Sequence, residues 1–347
     1  MNSKSAFPAA MAVSALALLA GCGSNGSGSR DFVQVVGSST VYPFSAAIAE
    51  QVAKLPGMKS PHVESTGTGA GMKLFCAGVG AANPDIENAS RRIKKSEYDD
   101  CAKNGVKDIV EIQVGLDGIA FAEAKNGPGM KLTPTDIYKA LAANPFGKPN
   151  TAKTWADVNP ALPDEPILVY GPPSTSGTRD ALAELILTKG CESDPAMKAL
   201  KEKDKDAEKK ICTEIREDGA YADAGENDNF IVQKISENPK AIGIFGYSYL
   251  EANADKITGV PISGVVPTYP AIADFSYPGA RPLFIYVKAA HLNSIKGLKE
   301  FVAEWAKSWG PDGPLKAKGM VVAPAEVLAK SADIAAKYTL LDPATLK

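Results

Sequence analysis

Three short stretches rich in Ser, Thr and Gly each precede a segment with helical spacing, and this arrangement limits the folds open to the chain. They are Gly37-Ser38-Ser39-Thr40, Ser65-Thr66-Gly67-Thr68-Gly69-Ala70-Gly71 and Ser174-Thr175-Ser176-Gly177-Thr178-Arg179. The N-terminus of a helix offers unpaired N–H groups and the positive end of the helix dipole. Hydroxyls add donors, and glycines let the backbone approach a ligand closely. If the three stretches converge, they can hold a compact oxyanion without any lysine.

Apolar runs alternate with segments of helical periodicity along the chain. We expect strands at 32–36, 62–66, 109–114, 119–122, 167–170, 241–245 and 283–287. We expect helices at 44–55, 71–77, 93–102, 133–141, 179–187 and 292–309. The charged segment 201–210 is typical of a solvated helix face, and the four prolines of 261–278 predict a long irregular connection. The alternation predicts an α/β fold with mainly parallel sheets.

Size and charge set outer limits on function. A chain of 347 residues has room for about two domains. Its formal net charge of -2 provides no basic field to attract nucleic acid, so we expect no nucleic-acid partner. An anion-binding site in this chain must therefore work locally, through aimed dipoles and a few arginines.

The N-terminal segment reads as an export signal and an anchor. Lys4 supplies one positive charge, and the apolar run 9–20 is shorter than the ~20 residues that span a bilayer. Leu19-Ala20-Gly21-Cys22 resembles the lipobox of bacterial lipoproteins, which implies cleavage of residues 1–21 and lipidation of Cys22. The alternative is an ordinary signal cut near Ala20. Residues 23–29 then form a Gly/Ser tether, part of a 22–30 linker, with a reach of about 15 Å. We expect a protein anchored to a membrane and exported to the periplasm.

Four further cysteines indicate disulfides in an oxidising compartment. We favour the pairs Cys76–Cys101 and Cys191–Cys212, since each closes a loop of about 20–25 residues and can stabilise by about 3 kcal/mol. The alternative is four reduced, buried cysteines. No metal site is expected, because the cysteine spacings are wide and neither His62 nor His291 lies near a cysteine in sequence.

The sequence offers little for catalysis. Ser176 lacks the G-x-S-x-G elbow of a nucleophile, and only two histidines are available as a base. No G-x-x-x-x-G-K-[ST] loop is present, and Gly67-Thr68-Gly69-Ala70-Gly71 lacks the full dinucleotide-binding spacing. We therefore expect no catalytic residue and no cofactor, with a phosphate-ester hydrolase as the alternative.

Anion binding fits the same residues better. Hydroxyl donors are available from Ser39, Thr40, Thr68, Ser176 and Thr178, and backbone N–H donors from Val41, Gly69 and Gly177. Asn88-Ala89-Ser90-Arg91-Arg92 adds the Ser90 hydroxyl and the Arg91 guanidinium, and Arg179 adds another. Arginine can meet an oxyanion with two parallel hydrogen bonds. Any one loop alone is usually no more than a helix cap, so the prediction depends on their convergence.

These motifs together resemble the periplasmic phosphate-binding protein of the bacterial phosphate-specific ABC transporter. The resemblance runs from about residue 32 to the C-terminal helices. The motifs on which it rests are Gly37-Ser38-Ser39-Thr40-Val41-Tyr42-Pro43, Gly67-Thr68-Gly69, Ala89-Ser90, Leu132-Thr133, Asp136-Ile137-Tyr138, Thr154-Trp155, Asn159-Pro160, Ser176-Gly177-Thr178 and Ala241-Ile242-Gly243-Ile244.

The resemblance implies two α/β lobes, each a mainly parallel sheet flanked by helices, that close on phosphate. Lobe one would be 30–116 plus 262–347 and lobe two 117–261, with hinge strands at 112–118 and 259–266. The implied partners are inorganic phosphate, the permease of an ABC transporter and, through the lipid anchor, a membrane. We expect a monomer. Alternatives of the same fold are a broader oxyanion receptor or a phosphate-sensing or scavenging surface lipoprotein.

The chain departs from the family at two positions. An aspartate usually follows the Ala-Ser pair, where it accepts the proton of monohydrogen phosphate and repels sulfate, but Arg91 stands here. The family's arginine four residues before Ser-Gly-Thr corresponds to Pro172. We expect Arg91 and Arg179 to replace its charge, and Glu226 or Asp228 to accept the proton. The alternative is that Glu226 and Asp228 cap a helix at 229–236.

Overall fold

The computed structural model describes residues 30–174, 176–225 and 228–346. The predicted signal sequence, Cys22 and the Gly/Ser tether lie outside these residues, as do Thr175 and Glu226. Within the described ranges, no helix is both long and apolar enough to cross a membrane.

One continuous set of hydrogen-bonded strands runs through the described part of the chain. The strands are β1 (Gln34–Gly37), β2 (His62–Ser65), β3 (Ile86–Ala89), β4 (Ile109–Ala124), β5 (Val169–Gly171), β6 (Tyr221–Asp223), β7 (Ile242–Gly246), β8 (Ile257–Gly259) and β9 (Ala280–Lys288). Their order is β2-β1-β3-β9-β4-β7-β5-β6, and β8 pairs with β4. The pairs β1–β2, β1–β3, β5–β6 and β5–β7 are parallel, whereas every pair that involves β4 or β9 is antiparallel.

Helices follow most strands, which confirms the predicted α/β alternation. They are α1 (Tyr42–Ala53), α2 (Thr68–Phe75), α3 (Lys95–Lys103), α4 (Pro134–Leu141), α5 (Trp155–Val158), α6 (Gly177–Ala181), α7 (Thr188–Cys191), α8 (Pro195–Lys203), α9 (Lys205–Thr213), α10 (Asp228–Glu237), α11 (Tyr247–Ala252), α12 (Tyr269–Ala273), α13 (Leu298–Ser308) and α14 (Ala325–Lys337). A π-helical turn, Leu182–Leu187, joins α6 to α7. Thr133 caps α4 as predicted, since its side chain accepts from the Asp136 N–H.

Strand β4 is the element that spans the molecule. Two separate strands were expected at 109–114 and 119–122, but a single strand of 16 residues covers both. Its first part pairs with β9 from Ile109 to Gly118 and belongs to a first sheet with β1, β2 and β3. Its last part pairs with β7 and β8 and belongs to a second sheet with β5 and β6. Its residues are almost all buried on both faces, as in a strand covered on both sides.

The return connection differs from the expected hinge strand at 259–266. Val260 and Ile262 belong to the apolar core around β5 and β7, together with Ile272 and Tyr277. The strand that runs beside β4 toward the first sheet is β9, which begins at Ala280. This apolar segment therefore packs onto the core around β5 and β7. The proline-rich stretch also contains a short helix, α12.

Two other helix predictions needed correction. The helix expected from 292 begins only at Leu298, because Gly297 has a left-handed φ of 89° that interrupts the helical backbone. The charged stretch 201–210 is split between α8 and α9 at Asp204, whose carboxylate accepts from the Ala207 N–H at 3.0 Å. Glu208 in this stretch is buried, so the segment is not wholly a solvated face.

Both predicted disulfides are present. Cys76–Cys101 links the end of α2 to α3, and Cys191–Cys212 links α7 to α9. The first ties α2 to the next helix in sequence, and the second ties α7 to α9, with α8 in the loop that it closes.

A buried carboxyl group lies beneath the first two loops. Glu87 in β3 is fully buried, and neither carboxyl oxygen has a hydrogen-bond partner among the described residues. Burial raises the pKa of Glu87 well above its usual value. A Cβ on Gly71 would lie 2.3 Å from Glu87 Oε2, and one on Gly37 would lie 2.2 Å from the Asn88 carbonyl oxygen. Only glycine fits at either position.

Glu87→Gln should stabilise the protein more at pH 8 than at pH 4. Below the usual carboxyl pKa, Glu87 is protonated in both folded and unfolded chains. As pH rises, the unfolded side chain ionises first, so the folded wild-type protein loses relative stability up to its raised pKa. Unfolding free energies from urea titrations would measure the difference, with exposed Glu50→Gln on α1 as control. An equal Glu87→Gln effect at both pH values would contradict a protonated Glu87.

Candidate functional site

The first two loops and the end of β3 meet at one edge of the first sheet. Strands β1, β2 and β3 are parallel, so their carboxyl ends lie together. The backbone binds them further: Ser38 N donates to Asn88 O at 2.8 Å, and Thr66 N and Gly67 N both donate to Gly37 O at 2.8 Å. The predicted convergence of these loops is therefore present.

Two hydroxyls line this edge at close range. Thr68 Oγ1, in the first turn of α2, lies 3.1 Å from Ser90 Oγ and accepts from Ser90 N at 3.1 Å. Both side chains are buried. Gly69 follows Thr68 in the same first turn, and Val41 is buried immediately before α1. The N-terminal ends of α1 and α2, which we expected to supply N–H donors, thus lie at this edge.

The third loop reaches across from the second sheet. Ser176 caps α6 by accepting from Thr178 N at 3.3 Å. Gly177 packs directly on the first loop, since a Cβ there would lie 2.4 Å from Thr40 Cα. Thr40 Oγ1 donates to Gly177 O at 3.1 Å, and Ser39 Oγ donates to the Asp180 carboxylate. The three stretches therefore converge.

The two predicted arginines are both engaged with protein groups. Arg91 makes a bidentate pair with Glu97, with nitrogen–oxygen distances of 2.9 and 2.7 Å. The hydrogen bond that Arg91 donates to Glu97 raises the pKa of Arg91. Arg179 donates to Pro172 O at 3.2 Å and lies 4.4 Å from the centre of the Tyr221 ring. Burial raises the pKa of Tyr221 to about 12.

Of the two expected proton acceptors, Asp228 lies among the described residues. Glu226 lies outside the described residues. Asp228 is the first residue of α10, and its Oδ2 accepts from Gly246 N at 3.4 Å. Asp180, which the sequence analysis did not single out, is the carboxylate that directly meets a predicted site hydroxyl, that of Ser39.

The sequence analysis also missed Arg281, the first charged residue of β9. Its side chain is only 4% exposed and donates to Asp117 Oδ2 at 3.0 Å and to Glu184 Oε2 at 2.8 Å. It also donates to Thr40 Oγ1 at 2.6 Å and to Gly177 O at 3.5 Å. A lone arginine at the start of an apolar strand gave no periodic signal, and only the folded chain brings it to the loops.

The two histidines lie elsewhere. His291 Nδ1 is 2.6 Å from Asp85 Oδ1, and its Nε2 accepts from Gly80 N at 3.1 Å. His62 packs against Phe32, with ring centres 4.3 Å apart. Ser176 therefore has no histidine beside it to act as a base. The site is built mainly of hydroxyl and N–H donors, with each of its described arginines already next to a carboxylate or carbonyl.

Known proteins are similar to this chain in sequence and in architecture. A family profile described as "PBP superfamily domain" matches residues 23–308. The SphX protein of Synechococcus elongatus is 33% identical over 286 residues, covering 79% of this chain and 74% of SphX. The phosphate-binding protein PstS of Staphylococcus epidermidis is 34% identical over 302 residues, covering 82% of this chain and 79% of PstS.

Solved structures agree with these sequence matches. A "possible phosphate binding protein" from Planctomyces limnophilus aligns with a TM-score of 0.70 and 30% identity, over 88% of this chain and 98% of that one. PstS from Borrelia burgdorferi shares the fold, with a TM-score of 0.56 at 20% identity over 85% of this chain. The superfamily profile covers most of this chain, and the matches to relatives above 30% identity cover about three quarters of each relative's length. The chain therefore belongs to the PBP superfamily of two-lobed substrate-binding proteins, in the family of PstS and SphX.

Proposed function

We propose that this protein captures inorganic phosphate between its two lobes and delivers it to a membrane ABC transporter. The observation that carries the proposal is the meeting of Thr40 and Gly177, which joins two Ser/Thr/Gly loops from different sheets. Relatives named phosphate-binding protein support phosphate as the ligand.

The ligand is held mainly by neutral donors from both lobes, with two arginines beside them. Small hydroxyls and helix N-termini suit a compact anion because they supply many donors without a large desolvation cost. The proposed ligand-binding residues are Ser39, Thr40, Val41, Thr68, Gly69, Ser90, Arg91, Ser176, Gly177, Thr178 and Arg179. Arg91 contacts the anion only if it shares or leaves its pair with Glu97.

The lobes of this proposal follow the two larger cores, except that Val321 and Ala323 of lobe one pack on the core of lobe two. Lobe one comprises residues 30–116 and 281–346, and lobe two comprises residues 117–280. This moves the return hinge from 259–266 to the start of β9, since residues 260 and 262 pack in the core of lobe two. Phosphate stabilises the closed arrangement because it contacts both lobes.

Asp180 joins Glu226 and Asp228 as a proposed proton acceptor. Its carboxylate already accepts a hydrogen bond across the cleft, from Ser39 Oγ. A carboxylate that accepts the proton of monohydrogen phosphate would face sulfate with no proton between them. A carboxylate oxygen left without this donor inside the closed cleft then costs about 1–3 kcal/mol, or roughly 5- to 150-fold in affinity.

Phosphate should therefore bind with a dissociation constant of about 1 μM or lower, and sulfate far more weakly. Calorimetric titration of both anions measures this. Asp180→Asn should reduce the preference for phosphate, whereas the exposed Asp255→Asn should not. Equal affinity for the two anions in the wild-type protein would overturn phosphate selectivity and favour a broader oxyanion receptor.

Gly177→Ala should weaken phosphate binding by about 5- to 150-fold. The new Cβ would lie 2.4 Å from Thr40 Cα and 2.6 Å from Thr40 N, so the lobes must move apart. Overpacking of this kind costs about 1–3 kcal/mol. Gly310→Ala is the matched control, because no atom lies within 4 Å of its Cβ position. Unchanged affinity in Gly177→Ala would show that the closed contact is not the binding form.

The proposed location is the periplasm, with the chain held at a membrane through a lipidated Cys22. Cys22→Ser should move the protein from the membrane fraction to the soluble exported fraction, because stable anchoring needs the lipid chains. Ser24→Ala in the tether serves as control. If Cys22→Ser stays in the membrane fraction, another segment anchors the protein.

A further inference from the structure

We infer that Arg281 couples lobe closure to ligand binding, as a positioning residue that gains its second carboxylate partner only when the lobes meet. The inference rests on the proposed function, since phosphate is the ligand that reports it. It concerns the contacts of the Arg281 side chain, which lies outside the three Ser/Thr/Gly loops.

One partner of Arg281 is fixed by the sheet. Arg281 in β9 stands directly opposite Asp117 in β4, and Nε lies 3.0 Å from Asp117 Oδ2. The two residues stand on either side of the lobe boundary but on the paired hinge strands themselves, so their contact does not depend on closure of the lobes. Asp117 is thus the permanent counter-ion of a guanidinium that is almost fully buried.

The other partners depend on closure. Glu184 lies in the π-helical turn of lobe two and accepts from Arg281 Nη1 at 2.8 Å. Gly177 O, also in lobe two, lies 3.5 Å from Nη2. If lobe two swings away, both contacts are lost. Charge-assisted hydrogen bonds of arginine are stronger than neutral ones. Because opening breaks these contacts, they stabilise the closed form relative to the open form.

Arg281 also orients a proposed ligand group. Its Nη2 donates to Thr40 Oγ1 at 2.6 Å. A hydroxyl has one proton to donate, and a donor already occupies one of its lone pairs here. Thr40 therefore donates its own proton to Gly177 O at 3.1 Å, and an anion takes that proton only in exchange for this bond.

Glu184 is the residue at which this coupling can be tested with little risk to folding. Its side chain is 56% exposed, so Glu184→Gln removes the charge without creating a cavity. Exposed Glu202→Gln in α8 of lobe two is the matched control. Arg281→Lys keeps the positive charge but loses the planar fork that reaches several partners at once.

The test measures phosphate affinity and dissociation rate for these variants. Glu184→Gln should raise the dissociation constant about two- to fivefold, mainly through faster dissociation, because this charge pair is partly exposed and contributes less than a buried one. Arg281→Lys should have a larger effect. The double variant should be little worse than Arg281→Lys alone, because the two residues act through one contact.

Two results would overturn the inference: an unchanged dissociation rate in Glu184→Gln, or additive effects in the double variant. If Arg281→Lys does not fold, the Glu184→Gln rate alone decides. If the wild-type protein binds no phosphate, the proposed function fails, and ligand-free X-ray scattering tests the coupling separately. Glu184→Gln should then be more expanded than wild type, and equal radii of gyration would contradict the coupling.

Discussion

The pairing of β4 with β9 is the interaction on which the site depends. β4 runs unbroken from the first sheet into the second, and β9 lies beside it over the first part of its length. Each sheet then presents the carboxyl ends of its parallel strands, with the loops that follow them, to the gap between the two cores. The loops of the two sheets face each other because one strand, β4, belongs to both sheets.

The charges around the gap explain how an acidic protein can bind an anion. The chain has a net charge of -2, and carboxylates lie close to its site arginines. Attraction at long range is therefore weak, and recognition depends on short, directed donors such as Thr68 and Ser90. Donors fixed by the backbone need little reorganisation when a ligand arrives. Selectivity then depends on which proton each acceptor can receive.

Local signals in the sequence were sufficient for the loops, the helix caps and the disulfides. Thr133 and Ser176 cap helices through neighbours within three residues, and Cys76–Cys101 closes a short loop. These features depend on residues near each other in the chain, so spacing reveals them.

Arg281, Asp180 and the path of β9 could not be predicted in this way. Arg281 meets Thr40 across 241 positions, and Asp180 meets Ser39 across 141. Neither position has a periodic or motif signal, because its role arises only from tertiary contact. The packing of residues 259–266 was missed for the same reason: the segment has the apolar pattern of a strand, and only tertiary contacts show that Val260 and Ile262 lie in the core around β5 and β7.

A crystal structure of the protein grown with phosphate tests the central claim most directly. The account predicts one anion between the Ser39–Val41, Thr68–Gly69 and Ser90 groups of lobe one and the Ser176–Thr178 loop of lobe two, with Arg281 behind Thr40. Phosphate bound only elsewhere, such as in the groove lined by Tyr247 and Lys316, or bound to one lobe alone, would contradict it.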